Sequence, residues 1–247
     1  MKIIPLGEGR FTVDATKRFI PFEPASDELQ ERSKGSLLVE IQPFALIGSR
    51  DIIIVDTGLG FTNPDGTLQI HQNLLNNGIG VMEVTKVLLS HLHKDHAGGI
   101  SREDKILKKV FLSFPNATYY VNKEEFDSAL SSTGSSFIPA HFQSLHDSDN
   151  VVFTTGDGII DQYIHYTVTG AHSPFHQVFR IEEEEQIIFY GGDVAPQLQQ
   201  MRSRFIAKYD YDGKKCMELR QQWWQRGEKE HWTFLFYHDI KTPVYSF

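Results

Sequence analysis

The sequence holds one cysteine, Cys216, in 247 residues. No intrachain disulfide can form, and a sulfur-based metal or redox centre has no second thiol to build on; a partly buried, inert thiol is expected. No run of about 18 apolar residues occurs, which argues against a membrane-spanning helix. The opening residues, Met1-Lys2-Ile3-Ile4-Pro5-Leu6-Gly7-Glu8-Gly9, lack an apolar stretch of signal-peptide length, so a cytoplasmic location is expected. Positive charge is also in short supply: 24 Lys and Arg face 32 Asp and Glu, for a net charge of −8. Phosphate backbones favour a basic face, so a nucleic-acid partner is disfavoured, although a local basic patch is not. Internal repeats and a low-complexity linker are missing as well, and a single domain over residues 1–247 is expected.

What is present describes an ordinary globule, 40% hydrophobic and 23% charged, long enough to bury a substantial core. Ile3–Pro5 and Arg10–Val13 read as short strands around a Gly-Glu-Gly turn. Leu37–Gly48 and Asp51–Asp56 alternate or run apolar, with Gly48-Ser49-Arg50-Asp51 as a hairpin turn between them. Leu68–Asn77 has helical spacing and ends at Gly78, a natural C-cap. A strand is expected at Thr118–Val121 and a helix at Lys123–Leu130. Residues 131–150 are irregular, either a lid or pocket wall or a surface excursion. Gly213–Gly227 reads as a long helix with Met217, Leu219, Trp223 and Trp224 available for packing; Trp223 and Trp224 cannot share one face. The Glu182–Glu185 run reads as a solvated hairpin turn.

One segment dominates. Ser90-His91-Leu92-His93-Lys94-Asp95-His96-Ala97-Gly98-Gly99 packs three imidazoles and a carboxylate into six residues, just after the apolar run Val84–Leu89. Side chains two apart on extended backbone face the same way, so His91 and His93 can grip one metal ion. After a turn at Lys94, Asp95 and His96 can face a second. Imidazole with carboxylate suits zinc and other borderline divalent metals. Further ligands come from other strand ends: Thr169-Gly170-Ala171-His172-Ser173-Pro174-Phe175-His176, Tyr190-Gly191-Gly192-Asp193, and Phe236-Tyr237-His238-Asp239. Ile52-Ile53-Ile54-Val55-Asp56-Thr57-Gly58 precedes the histidine cluster in the same style. Sites in open α/β architectures gather where such loops converge.

This order of VDTG, HxHxDH, a histidine in AHSPFH, GGD and a late histidine resembles the metallo-β-lactamase fold superfamily, and in particular its branch of N-acyl homoserine lactonases and methyl parathion hydrolase-like enzymes. The likeness runs from about Phe44 to the end. It implies an α/β fold, a four-layer αββα sandwich. It also implies a dinuclear metal-dependent hydrolase, in which a metal-bridging hydroxide attacks a small ester-like substrate: a lactone, a thioester or a phosphoester. By the same resemblance His91, His93 and His172 hold the first ion, Asp95, His96 and His238 hold the second, and Asp193 bridges both, so that Asp95 and Asp193 are the catalytic carboxylates. Asp56 and His176 would support the ligands from behind. Zn²⁺ is the expected metal, with Mn²⁺ or Fe²⁺ as substitutes, and a homodimer is compatible with the likeness.

Two departures bear on substrate. The lactonases place a tyrosine shortly after the bridging aspartate, whereas Asp193 is followed by Val194-Ala195-Pro196-Gln197; Tyr209, Tyr211 or Tyr237 would have to reach the site instead. Phe175 stands where a small residue is common and would narrow the pocket. Phe61, Phe137 and Phe142 are further candidates for an apolar pocket lining. His71, His141, His146, His165 and His231 read as solvated or structural. Two alternatives remain open: a mononuclear iron sulfur-dioxygenase of the same fold, needing only the first set of ligands, and a non-catalytic metal-binding protein.

Overall fold

The computed structural model describes residues 1–104 and 107–247. Two six-stranded sheets form its centre. The first runs in the spatial order Lys2–Pro5, Phe44–Ile47, Ile52–Val55, Lys86–Leu88, Thr118–Asn122, Val151–Thr154. It is antiparallel at the Lys2–Pro5 edge and parallel from Ile52–Val55 onward. The second follows chain order, from Gly158–Ile160 through Ile164–Val168, Gln177–Glu183, Gln186–Tyr190 and Thr233–Leu235 to Val244–Ser246. Its one parallel pair joins Gln186–Tyr190 to Thr233–Leu235, across the connection that contains the helix Gly213–Glu230.

The two-residue period of the strands explains the layering. Ile53 and Val55 face inward with Phe44, Leu46 and Leu88, and they meet Phe179, Ile181, Ile188, Tyr190 and Leu235 of the other sheet. Ile54 and Val87 face outward beneath the helices Gln69–Asn76 and Lys123–Ser131, where they pack with Ile70, Leu74, Phe126 and Ala129. On the other side Val178, Phe189, Phe234 and Phe236 face outward against Trp223 and Trp224 of Gly213–Glu230. The result is the expected αββα sandwich, each fully buried aliphatic or aromatic side chain contributing roughly 1.5–3 kcal/mol.

Several boundaries differ from expectation. Leu37–Gly48 is not one strand: Leu37–Ile41 pairs with Gly9–Val13 in a small three-stranded sheet, while Phe44–Ile47 joins the main sheet. The break falls at Gln42-Pro43, because proline has no N–H to continue a ladder. Ser101–Asp104 pairs with Lys109–Leu112 in a ribbon whose residues are largely exposed, leaving no hydrophobic period to read. Residues 131–150 contain a short helix, Pro139–Phe142. Phe142 and Leu145 are fully buried in the outer core, which corrects the reading of Phe142 as pocket lining. Both Trp223 and Trp224 are half-buried, the first against Phe189 and the second against Phe234, Tyr245 and Phe247. No helix among the described residues is long and apolar enough to cross a membrane.

Candidate metal centre

The parallel strands end in loops at one edge of the sandwich, and those loops carry the chemistry. Past Lys86–Leu88 the chain bends at Ser90, reaches His93 in extended backbone and then enters a single helical turn, Lys94–Ala97. The extended part aims His91 and His93 the same way, and the turn swings Asp95 and His96 beside them. The neighbouring loop after Ile52–Val55 comes close enough for Gly98 N–H to donate to Gly58 O at 2.8 Å and Thr57 N–H to His96 O at 2.7 Å. Only glycine permits this approach: a Cβ on Gly60 would lie 2.1 Å from Gly98 O. Gly192 is similarly constrained, with φ +48° and space for a Cβ only 2.5 Å from His176 Nε2. It starts the tight turn that presents Asp193.

Seven donors converge in two groups, and each group could hold a metal ion: His91, His93, His172 and Asp193, then Asp95, His96 and His238. In the first, His93 Nδ1 lies 2.9 Å from His91 Nε2 and 3.1 Å from His172 Nε2. Asp193 Oδ2 is 3.3 Å from His172 Nε2 and 4.0 Å from His91 Nε2. In the second, Asp193 Oδ1 lies 3.2 Å from His96 Nε2 and 3.1 Å from His238 Nε2, while Asp95 Oδ2 is 3.7 and 3.6 Å from the same two nitrogens. The two oxygens of Asp193 thus face different groups. His96 Nε2 and Asp193 Oδ1 are buried without an aligned hydrogen-bond partner, although they lie close together. Buried lone pairs aimed at a common space fit a cation better than they fit one another.

Most of these rings are held from behind. The Asp56 carboxylate receives His96 Nδ1 at 2.8 Å, Ser90 N at 2.8 Å, Ser90 Oγ at 2.6 Å and the Tyr190 hydroxyl at 2.5 Å. Asp56 is fully buried in the left-handed region, φ +54°, at the strand end where the chain turns. His172 Nδ1 meets Asp210 Oδ1 at 2.8 Å, and His238 Nδ1 donates to Glu40 O at 2.8 Å. His176 accepts Asp193 N–H on Nε2 at 3.2 Å, fixing the aspartate's backbone. Tyr237 stacks on His96 at 4.0 Å and donates its hydroxyl to Asp95 O.

Electrostatics divides the histidines. Burial, reinforced by the neighbouring imidazoles, holds His91 and His93 well below the ordinary histidine value. Burial acts the same way on His96, but the carboxylates of Asp193, Asp95 and Asp56 overcome it and raise the ring well above that value. His238 is raised against burial by Asp193 and Asp95. Burial opposes ionisation of Asp193, yet His238, His96 and His172 together hold its carboxyl well below the usual range.

All seven sequence-predicted donors are brought together, and Asp56 and His176 lie directly behind them. Thr57 and Ser173 bond the loops, Thr57 Oγ1 donating to His96 O and Ser173 Oγ to Glu125 Oε2. Of the tyrosines, Tyr237 is committed to Asp95 O and Tyr211 is 70% exposed, while the Tyr209 ring sits 6.3 Å from that of His172. Phe137 lies against His93 at 4.8 Å, whereas Phe61 packs on Phe11. The sequence reading missed Asp210, 38 positions from the histidine it holds, and Arg220, a fully buried cation whose Nη1 donates to Val194 O beside Asp193. Neither carries a motif; the only signal for Asp210 is its place in the polar turn that opens the long helix.

Comparison with known proteins agrees with this geometry. The family model of the metallo-beta-lactamase superfamily matches residues 40–236. A probable metal-dependent hydrolase from Staphylococcus aureus superposes with TM-score 0.79 at 19% identity, over 99% of this chain and 91% of that one. AidC, a dizinc quorum-quenching lactonase, gives TM-score 0.72 at 18% identity over 98% and 88%. AbOPH, a hydrolase in the beta-lactamase superfamily, gives 0.73 at 22% over 99% and 89%. No curated protein sequence matches. With four-fifths of its length under the family model and the donor set of a metal-dependent hydrolase at its loop edge, the chain belongs to the metallo-β-lactamase superfamily.

Proposed function

We propose that the protein is a dinuclear metal-dependent hydrolase of a small ester-like substrate: a lactone, a thioester or a phosphoester. The observation that carries this reading is Asp193, whose Oδ2 faces His172 and His91 and whose Oδ1 faces His96 and His238 of the second group. His91, His93 and His172 would hold one ion, Asp95, His96 and His238 the other, and Asp193 both, its separate oxygens serving as separate donors. Zinc suits this mixture of imidazole and carboxylate best, and Mn²⁺ or Fe²⁺ would also fit. When bound, such a pair supplies an activated water near neutral pH and polarises the substrate oxygen.

The chain's own groups do the rest. His91 and His93 are kept neutral by burial, so each has one ring nitrogen without a proton to offer a metal ion. Asp56, Asp210 and the Glu40 carbonyl orient His96, His172 and His238. Of the tyrosines, Tyr209, whose ring lies 6.3 Å from that of His172, is the one we assign to meet a substrate oxygen, and Phe137 offers an apolar wall beside His93 for an acyl or aromatic substituent. The dizinc lactonase AidC and the hydrolase AbOPH, both of the same fold, support this class of reaction.

Proton release by the metal-replete protein over a panel of lactones, thioesters, β-lactams and phosphate esters, with a chelated control, tests the proposal. Chelator-sensitive turnover of one ester class is expected; silence across the panel would contradict it.

A further inference from the structure

In the first group His91 Nε2 and His172 Nε2 lie 2.9 and 3.1 Å from His93 Nδ1. Beyond these ring-to-ring contacts, two of the loops that carry the histidines are held by bonds away from the donor atoms. One buried carboxylate touches both loops. Glu125 lies in the first turn of the helix Lys123–Ser131 and is 1% exposed. Asn122 caps that helix by accepting Glu125 N–H at 2.9 Å, which fixes where the glutamate starts. Glu125 Oε1 accepts the N–H of Leu92, the residue between His91 and His93, at 3.1 Å. Glu125 Oε2 accepts the hydroxyl of Ser173, the residue after His172, at 3.0 Å. The helix N-terminus favours negative charge at this point. No group of the second cluster shares these bonds: His96 rests on Asp56, His238 on Glu40 O and Asp95 on Tyr237.

We propose that Glu125 is a positioning residue for the first metal site, a single carboxylate that sets the spacing of His91, His93 and His172 by tethering both of their loops. The inference rests on the reading of these histidines as metal ligands. Glu125 touches neither the donor atoms nor the space between them; it acts through the Leu92 amide and the Ser173 hydroxyl. Its loss should therefore loosen the first ion and leave the second nearly untouched.

Chelator-competition titration with Zn²⁺ tests this, with His172→Ala and His238→Ala as references that identify which site each binding step reports. Glu125→Ala should weaken the first-site step about 10–100-fold, as loss of a supporting partner does elsewhere, with little change at the second. Ser173→Ala should produce a smaller loss at the same step, and the double variant no more than Glu125→Ala alone, since the two side chains share one bond. Glu125→Gln, which keeps an acceptor for Leu92 N–H, should fall between wild type and Glu125→Ala. Equal weakening of both steps, or additive losses in the double variant, would overturn the proposal. If Glu125→Ala does not fold, Ser173→Ala and Glu125→Gln decide the matter: an unchanged ratio of the two affinities in both overturns it. A wild-type protein that binds no Zn²⁺ would instead overturn the metal-site reading itself.

Discussion

The two donor groups share Asp193 and, behind it, Asp56, which receives His96 directly and Ser90, whose Oγ lies 3.0 Å from His91 Nδ1; in other respects they differ. The first is rich in imidazole, and its His91 and His93 are kept unprotonated by burial and by each other. The second is rich in carboxylate, and its His96 and His238 are biased toward protonation by Asp193 and Asp95. The first draws on three separate loops, two of them tied to one helix through Glu125. The second is anchored to the end of the Ile52–Val55 strand through Asp56 and to the small accessory sheet through Glu40 O. An ion at the first site would meet His91 and His93 already neutral, and an ion at the second would compete with protons on His96 and His238.

The largest effect should come from removing what the groups share. Asp193→Asn takes away the charge that faces both, and turnover should drop by more than the roughly 100-fold that losing a supporting partner costs, with far-UV circular dichroism unchanged; near-normal activity would dissolve the comparison into two independent sites. Next in size, Asp56→Asn and Asp210→Asn should each weaken metal binding about 10–100-fold, the first most at the Asp95/His96/His238 group, with a smaller loss at His91 through Ser90, and the second at the His172 group. Metal content after dialysis against a graded chelator distinguishes them, and identical profiles would show that the groups are not separately supported.

Acidification should also split the sites. A histidine with a raised pKa takes up its proton first as pH falls, so the second group should lose its ion at a higher pH than the first, where His91 and His93 remain neutral well below 6.5. Metal release followed against pH should show two steps in that order. The smallest effect on the metals is expected at His71, which is buried outside both groups against Phe114. Burial lowers it to about 4, so the neutral ring's stabilisation is fully present above 6.5 and lost as pH falls toward 4. A shift of that size is worth about 3 kcal/mol. His71→Phe should lessen the acid sensitivity of unfolding while leaving both metal affinities as they are.

Which parts of this could be read from the sequence follows from how local their causes are. His91, His93, Asp95 and His96 fall within one strand-to-helix turn, where a two-residue period and adjacency suffice to place them together. His172, Asp193 and His238 were legible because each follows a strand that the apolar pattern marks. Runs such as Ile52–Val55 and Gln186–Tyr190 marked strands, and the resemblance to the superfamily supplied the sandwich they form. Glu125, Asp210 and Arg220 were not legible: each acts on a loop far along the chain, and a charged residue in or just before a helix has the same local appearance whether it is solvated or buried. The Ser101–Asp104 ribbon was missed because its exposed strands impose no hydrophobic period. Phe142 was misjudged because an aromatic in an irregular segment gives no sign of which side it faces, and here it joins Phe126 and Leu145 beneath the outer helices.

The most direct measurement is turnover followed during stepwise addition of Zn²⁺ to the metal-free protein, alongside bound metal per chain. A bridging Asp193 requires activity to stay low through the first equivalent and to rise with the second, reaching its plateau at two ions per chain. Full activity at one equivalent, with no gain from the second, would contradict the dinuclear reading.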